Sequence, residues 1–247
     1  NTESKLEAVT QQETTNFDPN YTKPKGSNLR KAFDSFKEKD SQTYQCVLDA
    51  DRYFVNTFGA PEGLFIATVA KESGFYRYAV GINMNSEKDK EFYARNAELH
   101  KKSKADPQSA IQLAQLGESE RINLDIGIGQ VNTPSWLYPL GISSVNLLNN
   151  GCVGVDYGKK VLVRKIGLYM RTISSKYKYI SLSPQSLNNT SDVEKAVSEH
   201  RANGGKIDWE MVAKRYVGNP NSPIAIASFN KLVQCMTELG YTFERYK

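Results

Sequence analysis

A carboxylic acid at the end of an apolar segment is the first residue that could do chemistry. Residues 63–70 carry no charged side chain, a pattern typical of a helix buried on nearly all sides, and Glu72 follows. Pro61 and Glu62 suit the first turn of that helix, and Gly74 offers a stop. Burial and the negative end of the helix dipole both favour a protonated carboxyl group at this place, the form that a general acid needs. The structural alternative is that Glu72 only marks where the helix reaches the surface.

A second unusual stretch covers residues 124–132. Gly127 and Gly129 alternate with apolar residues, Asp125 precedes them, and Gln130 and Asn132 follow. The glycines do not fit a regular buried strand; they indicate a sharp turn or a close approach of the backbone to another group. The two amide side chains suit sugar hydroxyl and N-acetyl groups. A β-bulge or a tight loop held by structural amides remains open, whereas a nucleotide-binding loop lacks its further motif residues.

An aromatic residue follows this stretch, and metal chemistry is not indicated elsewhere. Trp136 is suited either to the floor of a sugar subsite or to the core. The only histidines are at positions 100 and 200, and no CxxC pair occurs, so neither a zinc site nor another cofactor is expected. Three cysteines, Cys46, Cys152 and Cys235, leave two possibilities open: three free thiols, or one disulfide with a spare.

The composition bounds the class of protein. The 247 residues suit one medium domain, and a mean hydropathy of -0.54 without a long apolar run excludes a transmembrane helix. A net charge of +5, spread along the chain, falls short of a nucleic-acid-binding surface, so no nucleic-acid partner is expected. The chain begins with Asn1 instead of Met, so the missing targeting segment says nothing against export.

The elements that must position these residues are mainly helical. Residues 1–28 are polar and predict a flexible linker, whereas residues 83–123 are charged and indicate solvated helix faces or, alternatively, a lid over a cleft. Residues 180–206 are predicted to be rich in loops, and no β-hairpin or repeat is indicated. Helices are predicted from a cap at Ser27 or Asn28 through residue 36, and over residues 43–57, 86–104, 107–117, 152–170, 209–216 and 223–239.

Taken in order, these stretches resemble a known family of enzymes. Glu72-Ser73-Gly74-Phe75 is similar to a catalytic E-S-G-F signature, and residues 125–132 are similar to D-[IL]-G-[LI]-[MG]-Q-[IV]-N. Tyr216 lies where a Tyr-Asn-x-Gly motif is found, although Val217 replaces the Asn and the Gly comes one place early. Over residues 46–233 the chain resembles lytic transglycosylases with a soluble-transglycosylase domain, above all the small peptidoglycan-cleaving enzymes of secretion and conjugation systems.

The resemblance implies a fold, a reaction and a location. It implies a mainly α, lysozyme-like (goose-type) domain over residues 29–247, in which residues 83–123 form a charged helical insertion. It implies Glu72 as the catalytic acid, Ser73, Gln130 and Asn132 as sugar-binding residues, and Tyr216 as the residue that orients the acid. Peptidoglycan glycan strands would be the substrate and proteins of a secretion or conjugation apparatus the partners. A disulfide between the first two cysteines would follow, and with it an oxidising compartment such as the periplasm.

Two other functions remain open. A hydrolytic muramidase would use Glu72 together with Asp125, on the two-carboxylate logic of ordinary glycosidases. A non-catalytic wall-binding assembly protein would keep the fold without the reaction; the altered motif at Val217 favours it, and the presence of Glu72 speaks against it.

Overall fold

The computed structural model describes residues 17–247, and this part of the chain is mainly helical, as predicted. The strands form one small sheet, and a single π-helical turn follows it at Thr133–Leu137. The helices are α1 (Leu29–Lys39), α2 (Ser41–Phe58), α3 (Leu64–Ser73), α4 (Glu87–Arg95), α5 (Ala97–Ser103), α6 (Pro107–Ser119), α7 (Tyr138–Leu140), α8 (Ser144–Asn149), α9 (Gly151–Ile173), α10 (Ser191–Ala202), α11 (Trp209–Val217) and α12 (Pro223–Glu238); the strands are β1 (Val80–Ile82), β2 (Leu124–Ile126) and β3 (Val131–Asn132); short 3-10 turns lie at Ser175–Tyr177 and Pro184–Ser186.

Helix α3 is buried on nearly all sides, as its uncharged sequence predicted, but it begins differently. Leu64 is its first residue, so Pro61 and Glu62 precede the helix. Its free N–H groups are bound by a side chain from α2: Asp51 accepts from the backbone N–H of Gly63 and Phe65 at 2.9 Å and of Ile66 at 3.4 Å. A distant carboxylate therefore takes the place of a local N-cap.

Helix α2 also links α3 to the long helix α9. Its predicted apolar stripe is confirmed, since Val47, Ala50, Phe54 and Phe58 are all buried. Cys46 on α2 forms a disulfide with Cys152 on α9, and Cys235 is the free and buried thiol. The pairing implied by the resemblance is therefore present in the structure, and it joins two helices that are far apart in sequence.

The sheet is antiparallel in the order β1-β2-β3. Val80 lies opposite Ile126, and Asp125 lies opposite Asn132. Strands β2 and β3 form a hairpin, so the expectation that no hairpin occurs was wrong. The turn needs glycine twice: Gly127 has φ +77, and a Cβ on Gly129 would come within 2.9 Å of the Gly158 Cα on α9. The sharp turn and the close approach, which the sequence left as alternatives, both occur.

The buried hydrophobic side chains form two clusters, a helical core and a sheet core. The helical core is formed mainly by α2, α3 and α9–α12, with Trp209 among its largest fully buried side chains. The sheet core lies beneath the strands and includes Phe92 of α4 and Leu113 of α6. Among the helices of residues 17–247, none is both long and apolar enough to cross a membrane.

Three predicted segments differ from the structure. Residues 180–206 are not all loop, because α10 buries Val193, Ala196 and Val197 against the helical core. The helix predicted over residues 86–104 is divided at Asn96 into α4 and α5. Of the linker predicted over residues 1–28, residues 1–16 lie outside the described part, and Tyr21 is buried beside Tyr76 and Tyr78. The segment around Tyr21 is therefore packed on the domain.

Candidate functional site

A cavity of about 520 Å³ lies where the end of α3, the sheet, α9 and α11 meet. Its lining combines two carboxylates, five amides, one lysine, one serine and five aromatic or apolar residues, and these residues come from distant parts of the chain. The lining residues are Glu72, Asn83, Asn85, Asn123, Asp125, Gln130, Asn132, Pro134, Ser135, Trp136, Val161, Lys165, Tyr216 and Val217.

Glu72 lies in the last turn of α3 and faces this cavity, as the sequence predicted for a candidate acid. Its side chain is 25% exposed, and its Oε1 lies 3.0 Å from the Nζ of Lys71, whose side chain is only 8% exposed. Lys71 also donates to the Oγ of Ser228 at 2.6 Å. This ion pair was not predicted from the sequence, and it supplies the carboxylate with a counter-charge from the same helix.

The chain turns sharply at Gly74 and Phe75, shortly after Glu72. Gly74 has φ +59 and Phe75 has φ +65, so both lie in the left-handed region that non-glycine residues rarely adopt. The Phe75 ring is fully buried and stacks on Phe36 with 5.1 Å between ring centroids. Packing of this ring holds the strained backbone, and the end of α3 is thereby fixed beside the cavity.

Ser73 is the one predicted substrate-binding residue that does not line the cavity. Its Oγ donates to the carbonyl of Val69 at 3.0 Å, a bond back to its own helix. The hydroxyl is thus used within α3, next to Glu72 in sequence but not beside it on the cavity wall.

Asn132 and Asp125 belong to a hydrogen-bonded network of side chains. The Nδ2 of Asn132 donates to the Oδ1 of Asp125 at 2.9 Å and to the Oδ1 of Asn123 at 2.8 Å. Its Oδ1 accepts from the backbone N–H and the hydroxyl of Ser135. Burial raises the pKa of Asp125, the hydrogen bonds from Asn132 and Asn83 lower it, and the charge of Glu72 raises it further. Asn132 therefore lines the cavity with its amide already bonded on both sides.

The side-chain amide of Gln130 is also hydrogen-bonded to neighbouring groups. It has φ +48, and its Nε2 donates to the carbonyls of Gly127 at 3.0 Å, Ala79 at 3.2 Å and Asp125 at 3.3 Å. The side chain thus ties the hairpin turn to the residue that precedes β1. These are the contacts of a structural amide that holds a tight loop, one of the alternatives left open by the sequence. Gln130 also lines the cavity.

Two aromatic residues complete the walls. Tyr216, at the end of α11, is packed against both cores and lines the cavity with Glu72. Burial raises the pKa of Tyr216 well above its usual range, and the charges of Glu72 and Asp125 raise it further. Its phenol is therefore a neutral hydrogen-bond donor near both acids. Trp136 lines the cavity and packs, partly buried, against the sheet core, and its role as the floor of a sugar subsite stays a prediction.

Lys165 and three asparagines also line the cavity, although the sequence patterns did not indicate them. Lys165 lies one turn after Val161 on α9, and both face the cavity. A lysine on an otherwise apolar face, four residues from a buried valine, was the available signal. Asn83, Asn85 and Asn123 lie at the two ends of the charged segment 83–123, and the pairing of β1 with β2 and a hydrogen bond from Asn83 to Asn123 bring these ends together.

No group of three or more His, Cys, Asp or Glu side chains within residues 17–247 is arranged to hold a metal ion. Comparison of the chain with protein-family models, with curated proteins and with solved structures returned no match.

Proposed function

We propose that this protein is a lytic transglycosylase with a lysozyme-like fold, which cleaves the β-1,4 bond between N-acetylmuramic acid and N-acetylglucosamine in peptidoglycan. The observation that carries the proposal is the position of Glu72, at the end of a buried helix and on the wall of a cavity of about 520 Å³. Amide groups and the Trp136 ring line the same cavity, and both suit a strand of amino sugars.

The reaction needs one group that first gives and then takes a proton. Glu72, protonated, donates to the glycosidic oxygen while positive charge develops at C1 of the muramoyl sugar. As a carboxylate it then takes the proton of the muramoyl 6-hydroxyl, whose oxygen attacks C1 and closes the 1,6-anhydro ring. Because the nucleophile belongs to the substrate, its effective concentration is high, and neither water nor a second carboxylate takes part.

Glu72 has a counter-charge within reach. Lys71 lies 3.0 Å from its Oε1 and is placed to balance the carboxylate that proton donation leaves, and it also donates to Ser228. Tyr216, a neutral phenol near both acids, is suited to donate a hydrogen bond that orients Glu72. Asn132 and Gln130 shape the sugar-binding wall through hydrogen bonds to their neighbours. The Ser73 hydroxyl donates to a carbonyl of α3, the helix that carries Glu72.

A hydrolytic muramidase is the second candidate, because Asp125 lines the same cavity as Glu72. Such an enzyme needs the second carboxylate ionised, as base or nucleophile. Burial raises the pKa of Asp125, which works against that role, and Asn132 already binds one of its oxygens. We therefore assign Asp125 to the hydrogen-bonded network of the wall.

The disulfide supports a periplasmic or other cell-envelope location, since such bonds persist in oxidising compartments. A role in opening the wall for a secretion or conjugation apparatus rests on the sequence resemblance alone. Partners in that apparatus are part of the proposal.

Product analysis tests the proposal. Purified protein is incubated with peptidoglycan, and the released muropeptides are identified by mass spectrometry. We expect 1,6-anhydro-muramoyl ends. Reducing ends in their place would support the muramidase, and binding to peptidoglycan without any release would support a non-catalytic wall-binding protein.

A further inference from the structure

Lys165 is a cation of the cavity that the reaction described above does not use. It lies on α9, is partly buried and lines the cavity. Within residues 17–247, no hydrogen bond or ion pair involves its ammonium group, and burial lowers the pKa of this lysine. Its side chain therefore reaches the cavity with its donors unused.

Other partly buried lysines of this domain have acceptors. Lys71 pairs with Glu72, Lys160 with Asp156 and Lys214 with Glu210. A partly buried ammonium group without a counter-charge is unfavourable, because it has lost water without gaining a partner. At the wall of a binding cavity, an anionic group of the ligand is the natural source of that partner.

The two acids of the cavity are engaged elsewhere. Asp125 accepts a hydrogen bond from Asn132 at its Oδ1, and the Oε1 of Glu72 is paired with Lys71. Amides and the Trp136 ring make up much of the remaining surface. Besides these two acids, the cavity offers neutral hydrogen-bonding groups and one lysine without a partner within residues 17–247, which is suited to a sugar chain that bears an acidic substituent.

We infer that Lys165 is a specificity residue that binds a carboxylate of the glycan strand. This inference rests on the proposed function. A muramoyl residue has two sources of carboxylate: its lactyl group, which is free when the stem peptide has been removed, and the stem peptide itself when it is present. An oligomer of N-acetylglucosamine has neither.

Binding measured in a Glu72→Gln background tests the assignment without turnover. Isothermal titration would compare three ligands: peptide-free glycan strands, peptide-bearing strands and an N-acetylglucosamine oligomer. Lys165→Met removes the charge and keeps the length of the side chain, whereas Lys165→Arg keeps the charge. The matched control for net charge is Lys178→Met, because Lys178 is exposed and directly follows the 3-10 turn Ser175–Tyr177.

We expect Lys165→Met to raise the Kd for a carboxylate-bearing strand about tenfold or more, and to leave the Kd for the uncharged oligomer unchanged. Lys165→Arg should retain most of the affinity, and Lys178→Met should change neither Kd. An effect confined to peptide-free strands would identify the lactyl carboxylate, and one confined to peptide-bearing strands would identify the stem peptide.

The inference would be overturned if Lys165→Met left the Kd for both acidic strands unchanged, or if neither acidic strand bound. An equal loss of affinity for the uncharged oligomer would also overturn it, because it would indicate a role in cavity shape. If wild-type protein forms anhydro products and Lys165→Met binds normally, only this inference fails. If no anhydro product forms but binding depends on the carboxylate and Lys165, only the proposed reaction fails.

Discussion

The two walls of the cavity hold their polar groups in different ways. On the helical wall, Glu72, Lys165 and Tyr216 project from three separate helices, and Asp51 and the Cys46–Cys152 disulfide link two of these helices, α3 and α9, to α2. On the sheet wall, Asn132 and Gln130 bind neighbouring side chains and carbonyls. The amide side chains of the sheet wall are held by their neighbours and shape the cavity, whereas Lys165 on the helical wall has no partner within residues 17–247 and is placed to meet a ligand.

The disulfide is the link on the helical wall whose loss should cost most. Cys46 and Cys152 are 106 residues apart, and opening a loop of that length is expected to lower the free energy of unfolding by about 4–5 kcal/mol. Urea denaturation with and without a reductant measures the difference. A Cys46→Ser/Cys152→Ser double variant should be insensitive to the reductant. Equal stability of wild-type protein in both conditions would show that α2 and α9 need no covalent link.

The carboxylate that caps α3 comes next. Asp51→Ala leaves three N–H groups at a buried helix start without their acceptor, so we expect a loss of about 3 kcal/mol in the free energy of unfolding. Asp49→Ala, on the same helix but exposed, is the matched control and should cost less than about 0.5 kcal/mol. Similar losses in both variants would mean that Asp51 does not anchor the helix that carries Glu72.

On the sheet wall, the expected effects are smaller. Gln130→Glu replaces a donor that contacts three carbonyls with an acceptor of the same shape, and we expect a loss of about 1–3 kcal/mol in the free energy of unfolding. Gln112→Glu, at an exposed position on α6, should be nearly neutral. If Gln130→Glu kept full stability and lost only affinity for sugar, Gln130 would belong with the groups that act on the ligand.

Asp125 should show a pH dependence of stability. Burial raises its pKa in the folded protein above the ordinary value of 3.8, so the folded state binds its proton more tightly than the unfolded state does. Its contribution is therefore most favourable below pH 3.8 and declines as the pH rises through the higher, folded-state pKa. The difference in unfolding free energy, Asp125→Asn minus wild type, should increase with pH over that window. A difference that stays constant or decreases would contradict this sign.

Local patterns predicted the elements that depend on local contacts. The uncharged residues 63–70 indicated the buried helix and thus the position of Glu72, and Asn28 and Asp106 cap the helices that follow them. These features involve residues three or four apart, which a sequence displays directly.

Features that depend on tertiary contacts were not predicted. The cap of α3 comes from Asp51 on another helix, and the unused state of Lys165 depends on which side chains fail to reach it. The β2–β3 hairpin was missed because Gly127 and Gly129 interrupt the alternation of a strand, and its turn is held by Gln130. Helix α10 was missed because its buried face is short and flanked by Asn and Gly residues.

The rate of 1,6-anhydro-muropeptide release by Glu72→Gln, compared with wild type at matched melting temperature, tests the central claim most directly. Because a general acid and base contributes about 10²–10⁴-fold, we expect a fall of about a thousandfold, with Glu62→Gln, exposed just before α3, unchanged. A folded Glu72→Gln protein that released anhydro products within about tenfold of the wild-type rate, well short of the loss expected of a general acid, would contradict the account.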